Sequence, residues 1–263
     1  MTKSMEPWKQ DLEKNIVESG FVLEITTSKM LKSHGWTVAP RVIYPSEQKE
    51  DYAESDIRAF KSHPSIENGH NVLVIECKKQ QNSQWVFFGQ DESNTDIFTL
   101  NVTPSARYTP VMDYWEKHYY FNEIPCVYHF THFVRKGDNV SADKGRKAHR
   151  KTTDPILDAI TSVLDALDYF MKQEDFYVPF KPSNRVCIFH PVVVLDGTML
   201  LARIETDGTI STLRQKSLQL KVTKAIDPTK FLCGAREVIK TQKDYVIDFV
   251  TKEQFEEFLR NFS

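Results

Sequence analysis

No stretch of this chain approaches the roughly 18 consecutive apolar residues that a bilayer-spanning helix needs, and the opening Met1-Thr-Lys-Ser-Met-Glu-Pro-Trp8 lacks the apolar core of a secretory signal. A soluble, cytoplasmic protein is the expectation. Cysteine is sparse and scattered: Cys77, Cys126, Cys187 and Cys233 form neither a Cys-x-x-Cys pair nor a dense framework, so they read as reduced, structural thiols. Positive charge is not in excess, with 34 Lys and Arg against 36 Asp and Glu, and affinity for nucleic acid therefore has to come from a local patch. His-Glu-x-x-His and comparable zinc-ligand patterns are missing, and His129 and His132 on a strand would point to opposite faces. No Pro/Gly/Ser linker or internal repeat divides the 263 residues, which are 40% hydrophobic and sufficient for one full core. The expectation is a single domain over residues 1–263.

What is present is concentrated near the N-terminus. A helical region runs from Trp8 to His34, broken near Gly20, with Ser19 expected to cap the second part. Val17, Phe21, Glu24, Ser28 and Leu31 recur at helical spacing and put Glu24 on a partly apolar stripe, either as a functional acid or as an edge residue reaching water. Three strands follow, Trp36–Tyr44, Tyr52–Phe60 and Val72–Lys78. On the third, Val72, Val74, Glu76 and Lys78 share one face and Leu73, Ile75 and Cys77 the other. An apolar run of this kind marks a strand buried on both sides, where a Glu and a Lys need compensation that a divalent cation with its water supplies. Asp56 sits mid-way along the second strand, a position Asp disfavours. It is either an ordinary charge on a solvated face or a partner of Glu76 on a shared cation.

A helix with an acid, a strand, a strand with Asp and a strand with Glu-x-Lys together resemble the PD-(D/E)XK nuclease superfamily, the restriction-endonuclease-like fold. The resemblance covers residues 17–90 and rests on Ser19-Gly-Phe-Val-Leu-Glu24, Lys32-Ser-His-Gly-Trp36, Glu54-Ser-Asp56 and Ile75-Glu-Cys-Lys-Lys79. It departs from the family at Ser55, where Pro often precedes the Asp, and in offering no identifiable helix Gln among Gln80, Gln81, Gln84 and Gln90. The resemblance implies a central mixed sheet flanked by helices, with an elaborated C-terminal half over residues 91–263. It implies Asp56 and Glu76 as direct ligands of Mg²⁺, with Mn²⁺ able to substitute, helped by the backbone carbonyl of Cys77. Glu24 would act on the metal through water, and Lys78 would position the attacking water. Hydrolysis of phosphodiester bonds, in DNA before RNA, is the implied activity, in restriction, phage defence or repair. A homodimer or a defence-system partner belongs to the same expectation. The competing class is a non-catalytic nucleic-acid-binding or assembly module that retains the fold.

The remaining sequence carries weaker signals. Trp85-Val-Phe-Phe88 reads as core, Asp91–Ala106 as a polar loop, and Pro125–Phe133 as a strand. Between Arg135 and Lys151 seven Lys or Arg face two Asp, and Arg146, Lys147, Arg150 and Lys151 are the candidate phosphate contacts, against the alternative of a solvated charged loop. A helix is expected from Asp154-Pro155 to Phe170, with Ile156, Ile160, Val163, Leu164 and Leu167 facing the sheet. Asp196-Gly197 between Arg185–Leu195 and Thr198–Ile204 predicts a hairpin. A strand over Tyr245–Val250 and a helix over Lys252–Phe262 close the chain.

Overall fold

A computed structural model describes residues 7–46, 51–67, 69–89, 126–127, 129–134, 154–176, 186–225 and 242–262. Arg146, Lys147, Arg150, Lys151 and the Asp91–Ala106 segment lie outside the described residues. The helices are α1 (Pro7–Glu18), α2 (Phe21–Ser33), α3 (Pro155–Phe176) and a short α4 (Phe255–Arg260). The strands are β1 (Thr37–Pro45), β2 (Tyr52–Ser62), β3 (Gly69–Phe88), β4 (Cys126–Val127), β5 (His129–Val134), β6 (Val186–Ile204), β7 (Ile210–Gln215), β8 (Ser217–Ala225) and β9 (Gln242–Thr251). They form one large mixed sheet in the order β1-β2-β3-β6-β9-β8-β4, with β5 beside β3 and β7 beside β6. Among the described residues no helix is long and apolar enough to cross a membrane.

Each face of the sheet carries a helical layer because its central strands are apolar on both sides. Val72, Val74, Phe189, Val193 and Leu195 pack under α3, whose Ile156, Ile160, Val163, Leu164 and Leu167 are all buried as their spacing predicts. Leu73, Ile75, Cys77, Val192 and Val194 pack under α2 and α4. Asp154 opens α3 by accepting a hydrogen bond from the Ile156 amide at 2.9 Å, which satisfies one of the unpaired amides of the first turn. The chain thus begins with α2 and an antiparallel β1-β2-β3 meander; β4 and β5 follow, β5 antiparallel to β3, and α3 then leads into β6, which runs parallel to β3.

Several local expectations are corrected. Ser19 does not cap α2: its hydroxyl donates to the Ile16 carbonyl at 2.6 Å and so ends α1, while Gly20 stands at the start of α2. The buried stripe of α2 is Leu23, Thr27 and Leu31, with Val17 and Phe21 exposed and Glu24 at the stripe's margin. The Pro125–Phe133 strand is two strands with different neighbours, β4 on β8 and β5 on β3. Asp196-Gly197 forms no hairpin. The chain runs straight through it as β6, and a Cβ at Gly197 would lie 2.6 Å from the Gln80 carbonyl oxygen. Glycine is required there because β3 and β6 press together at an irregularity, the register stepping from Gln80↔Gly197 to Gln84↔Thr198.

One buried acid gives a stability prediction. Asp248 of β9 accepts a hydrogen bond from the Gln219 side-chain amide at 2.9 Å, and burial raises its carboxyl from 3.8 to about 6. A folded-state pKa above the unfolded value means that the native state holds the proton more tightly, so this stabilisation is complete below about pH 4 and lost as the pH rises through 6. Asp248→Asn keeps the acceptor and removes the titration. It is expected to be more stable than wild type at pH 7 by on the order of 2–3 kcal/mol and to lose that advantage near pH 4. Urea unfolding at both pH values measures this; an advantage equal at the two would mean that Asp248 does not titrate in that window.

Candidate active site

The site begins with a gap in hydrogen bonding. One edge of β3 pairs with β2 from His70 to Ile75 and with β5 from Ser83 to Phe88, leaving Glu76 to Asn82 without a ladder partner on that edge among the described residues. The opposite edge pairs with β6 almost throughout. At the start of this gap the amide of Cys77 would have no acceptor. Asp56, the first β2 residue beyond the pairing, supplies one: its Oδ2 accepts from the Cys77 N–H at 2.6 Å. A strand residue sends its N–H and C=O to the same edge, so the Cys77 carbonyl also faces the fork.

The β1–β2 ribbon turns over at this level. Val38, Ile57 and Ala59 pack with the α2 layer, whereas Val42, Tyr44 and Ala53, of the same parity along their strands, pack with the α3 layer. The change of face falls between Ile57 and Ala53 on β2 and between Val38 and Val42 on β1. Arg41 lies in that interval with φ 53°, the one non-glycine residue in the left-handed region among those described, and the Arg41↔Asp56 pair is the one omitted from an otherwise continuous ladder. The far end of the ribbon is anchored on α3 by Tyr44 stacked on Tyr169 at 5.2 Å and by Ser46, whose hydroxyl donates to Asp165 Oδ2 at 2.6 Å.

Glu76 and Lys78 project from the unpaired edge. Lys78 Nζ donates to Glu76 Oε1 at 2.5 Å, with the Glu76 side chain 8% exposed and Lys78 27% exposed. Burial raises the Glu76 carboxyl to about 7; the Asp56 carboxylate adds to the shift and Lys78 opposes it. Burial also raises Asp56, partly offset by the Cys77 amide and Lys78. Glu24, in the first turn of α2, is raised by burial and then by Asp56. Burial works against the Lys78 ammonium, but Glu76 and Asp56 beside it leave its pKa above the ordinary lysine value. Asp158 in the first turn of α3 acts on Lys78 in the same direction. The Cys77 thiol faces α2 and is buried, which pushes its pKa up, and the sulfur is a structural group.

The four residues singled out by the sequence are therefore within electrostatic reach of one another. Three carboxylates face one ammonium; all three are raised by burial, and Glu24 and Glu76 are raised further by Asp56, an arrangement that suits a bound cation. Their donors, with the Cys77 carbonyl, are oxygens that suit Mg²⁺ or Mn²⁺. Among the described residues no three His, Cys, Asp or Glu side chains close into a ready-made cage, and Glu76 is engaged by Lys78. A magnesium site requires less, since Mg²⁺ commonly takes one or two protein carboxylates.

Arg41 escaped the sequence reading. Its guanidinium meets Glu54 through two hydrogen bonds, Nε to Oε1 at 2.6 Å and Nη2 to Oε2 at 3.1 Å, and lies 5.1 Å from the centre of the Phe21 ring. The available signal was a lone charge in the strand Thr37–Pro45. Lys79, on the opposite face of β3 from Lys78, donates to the Val17 carbonyl in the last turn of α1, a structural bond that satisfies a helix-end acceptor. Comparison with protein-family models, curated proteins and solved structures gives no match for this chain.

Proposed function

We propose that this protein is a divalent-metal-dependent nuclease of the PD-(D/E)XK kind, hydrolysing phosphodiester bonds of nucleic acid, with DNA favoured. The observation that carries this reading is the fork in the β3 edge, where Asp56, Glu76 and Lys78 meet with Glu24 at the adjoining helix start. The α2-β1-β2-β3 run at that fork supports it, because the antiparallel β2–β3 pairing sets Asp56 and Glu76 on neighbouring strands beside the helix that carries Glu24.

Asp56, Glu76 and the Cys77 carbonyl would hold Mg²⁺ or Mn²⁺, with Glu24 acting through water. The ion would supply electrophilic activation of the phosphate and a more acidic water. Lys78 would orient the attacking water and offset the negative charge that grows on the phosphate oxygens. Glu24 holds water at the edge of the site. Asp56 has a second task, since it keeps the Cys77 amide satisfied and so fixes the edge from which Glu76 and Lys78 project. Restriction, phage defence or repair in the cytoplasm fits this chemistry, and Arg146, Lys147, Arg150 and Lys151 remain the proposed phosphate contacts.

The closed Glu76–Lys78 pair favours one alternative, a nucleic-acid-binding module in which the pair is purely structural. Incubating the protein with supercoiled plasmid, linear duplex, single-stranded DNA and RNA in Mg²⁺, Mn²⁺ or EDTA separates the two. Cleavage of at least one substrate in metal and none in EDTA supports the nuclease; binding without cleavage supports the module.

A further inference from the structure

We propose that Arg41 is a substrate-gripping residue, taking a phosphate of the nucleic-acid strand beside the scissile one and giving up Glu54 to do so. The inference rests on the nuclease reading and adds to it a residue that the metal chemistry leaves unassigned.

Four observations converge on this side chain. It lies opposite Asp56, in the one rung that the β1–β2 ladder omits. Its backbone occupies the left-handed region, which a Cβ-bearing residue enters at a cost and which persists where surrounding structure enforces it; such sites cluster at ligand clamps. Its guanidinium is held from two sides, by the Glu54 carboxylate and the Phe21 ring, and Phe21 begins the same helix turn that bears Glu24. Glu24 and Asp56 both act electrostatically on it, so the cation stands at the mouth of the acid cluster.

A nuclease site built from carboxylates repels its own polyanionic substrate, and the cation already inside it is occupied. Lys78 is tied to Glu76 inside the fork. Arg41 is 55% exposed, within reach of a strand whose scissile phosphate sits at the fork. Glu54, on the diagonal position of the neighbouring strand, presents two oxygens to the guanidinium fork, and a phosphodiester presents the same two-oxygen geometry. Exchange of one for the other keeps Arg41 saturated and conserves its orientation on Phe21. An ion pair this exposed is weakly held in water, which lets the exchange proceed.

A purely structural Arg41 would tie β1 to β2, and its loss would appear as instability. As a clamp it carries strain for binding, and the two roles give opposite results in Arg41→Gly. Glycine enters the left-handed region freely, so this variant is expected to melt at or above wild type, by up to about 2–4 °C, while binding suffers. The assays use a fluorescein-labelled 20-nucleotide single strand and the matching duplex. Cleavage kinetics are read in Mn²⁺, and affinity is read as a function of salt in EDTA. Arg41→Ala and Arg41→Gly should raise KM about 10- to 100-fold, most of the loss falling on KM and not on kcat, and Arg41→Lys should recover part of it. The slope of log affinity against log salt on duplex should fall by about 0.9. Glu54→Gln, which frees the guanidinium, should leave KM equal or lower. Cleavage by wild type with KM and slope unchanged in Arg41→Ala overturns the clamp and leaves the nuclease standing. A wild type that binds but never cleaves, with the slope still reduced in Arg41→Ala, overturns the nuclease and retains the clamp. A wild type that binds neither probe overturns both.

Discussion

Metal-dependent cleavage is expected to fall by about 1,000-fold or more in Asp56→Ala, Glu76→Ala and Lys78→Ala, and by less in Glu24→Ala. The ranking follows from position. Glu76 and Lys78 sit on the unpaired β3 edge and face each other at 2.5 Å, and Asp56 both joins the acid cluster and fixes the Cys77 amide. Glu24 approaches from α2 and its proposed role is through water, so its loss leaves the proposed direct ligands in place. Conservative changes sharpen the test: Glu76→Gln and Lys78→Met keep size and remove charge, and both should be as inactive as the alanine variants. Initial rates on the best substrate in Mn²⁺ measure the series. Activity of Glu76→Ala within tenfold of wild type, or activity of wild type in EDTA, would show that the fork is not the catalytic centre.

The second large effect concerns the core that holds the fork open. Phe249 of β9 is fully buried, with its ring 6.1 Å from Trp85 and 5.0 Å from Phe87, the two residues that anchor the far half of β3. Phe249→Ala removes a large side chain from a packed layer and leaves a cavity. The expected cost is about 3–5 kcal/mol, a fall in melting temperature of roughly 6–20 °C. Ile210, exposed at 64% on β7, serves as the comparison, and its alanine variant should remain within about 0.5 kcal/mol of wild type. Calorimetric or circular-dichroism melts distinguish them. Equal melting temperatures for Phe249→Ala and wild type would mean that β9 and the outer half of β3 do not share one cooperative core.

Much of the acid cluster was legible because it depends on local periodicity. Alternation along Val72–Lys78 put Glu76 and Lys78 on one face, and helical breaks at Gly20 and Gly35 placed α2 between known limits. What lay beyond was not local. The span of β3 to Phe88 was missed because Lys79 to Gln84 is polar, and nothing in those residues announces that β6, more than a hundred positions later, pairs with them. Asp196-Gly197 reads identically whether a chain reverses or two strands crowd each other; only the Gln80 carbonyl beneath Gly197 decides. The overturning of the ribbon at Arg41 and Asp56 leaves no mark in a pattern of apolar residues, since both halves of each strand alternate normally and only their assignment to helical layers changes.

The most direct measurement of the cation site needs no substrate. Wild type, Asp56→Asn and Glu76→Gln are melted in EDTA and in Mn²⁺. Without metal the Asp56 carboxylate disfavours that of Glu76, so Asp56→Asn should leave the melting temperature unchanged or raise it, while Glu76→Gln, which also takes a charge partner from Lys78, is compared only for its response to metal. An ion bound only by the folded state stabilises it by RT ln(1 + [L]/Kd), about 2.7 kcal/mol at a hundredfold excess over Kd, which corresponds to roughly 5–11 °C here. Wild type should show that rise in Mn²⁺ and the two variants little of it. An identical response of all three proteins to Mn²⁺ would contradict the account, because Asp56 and Glu76 would then hold no cation.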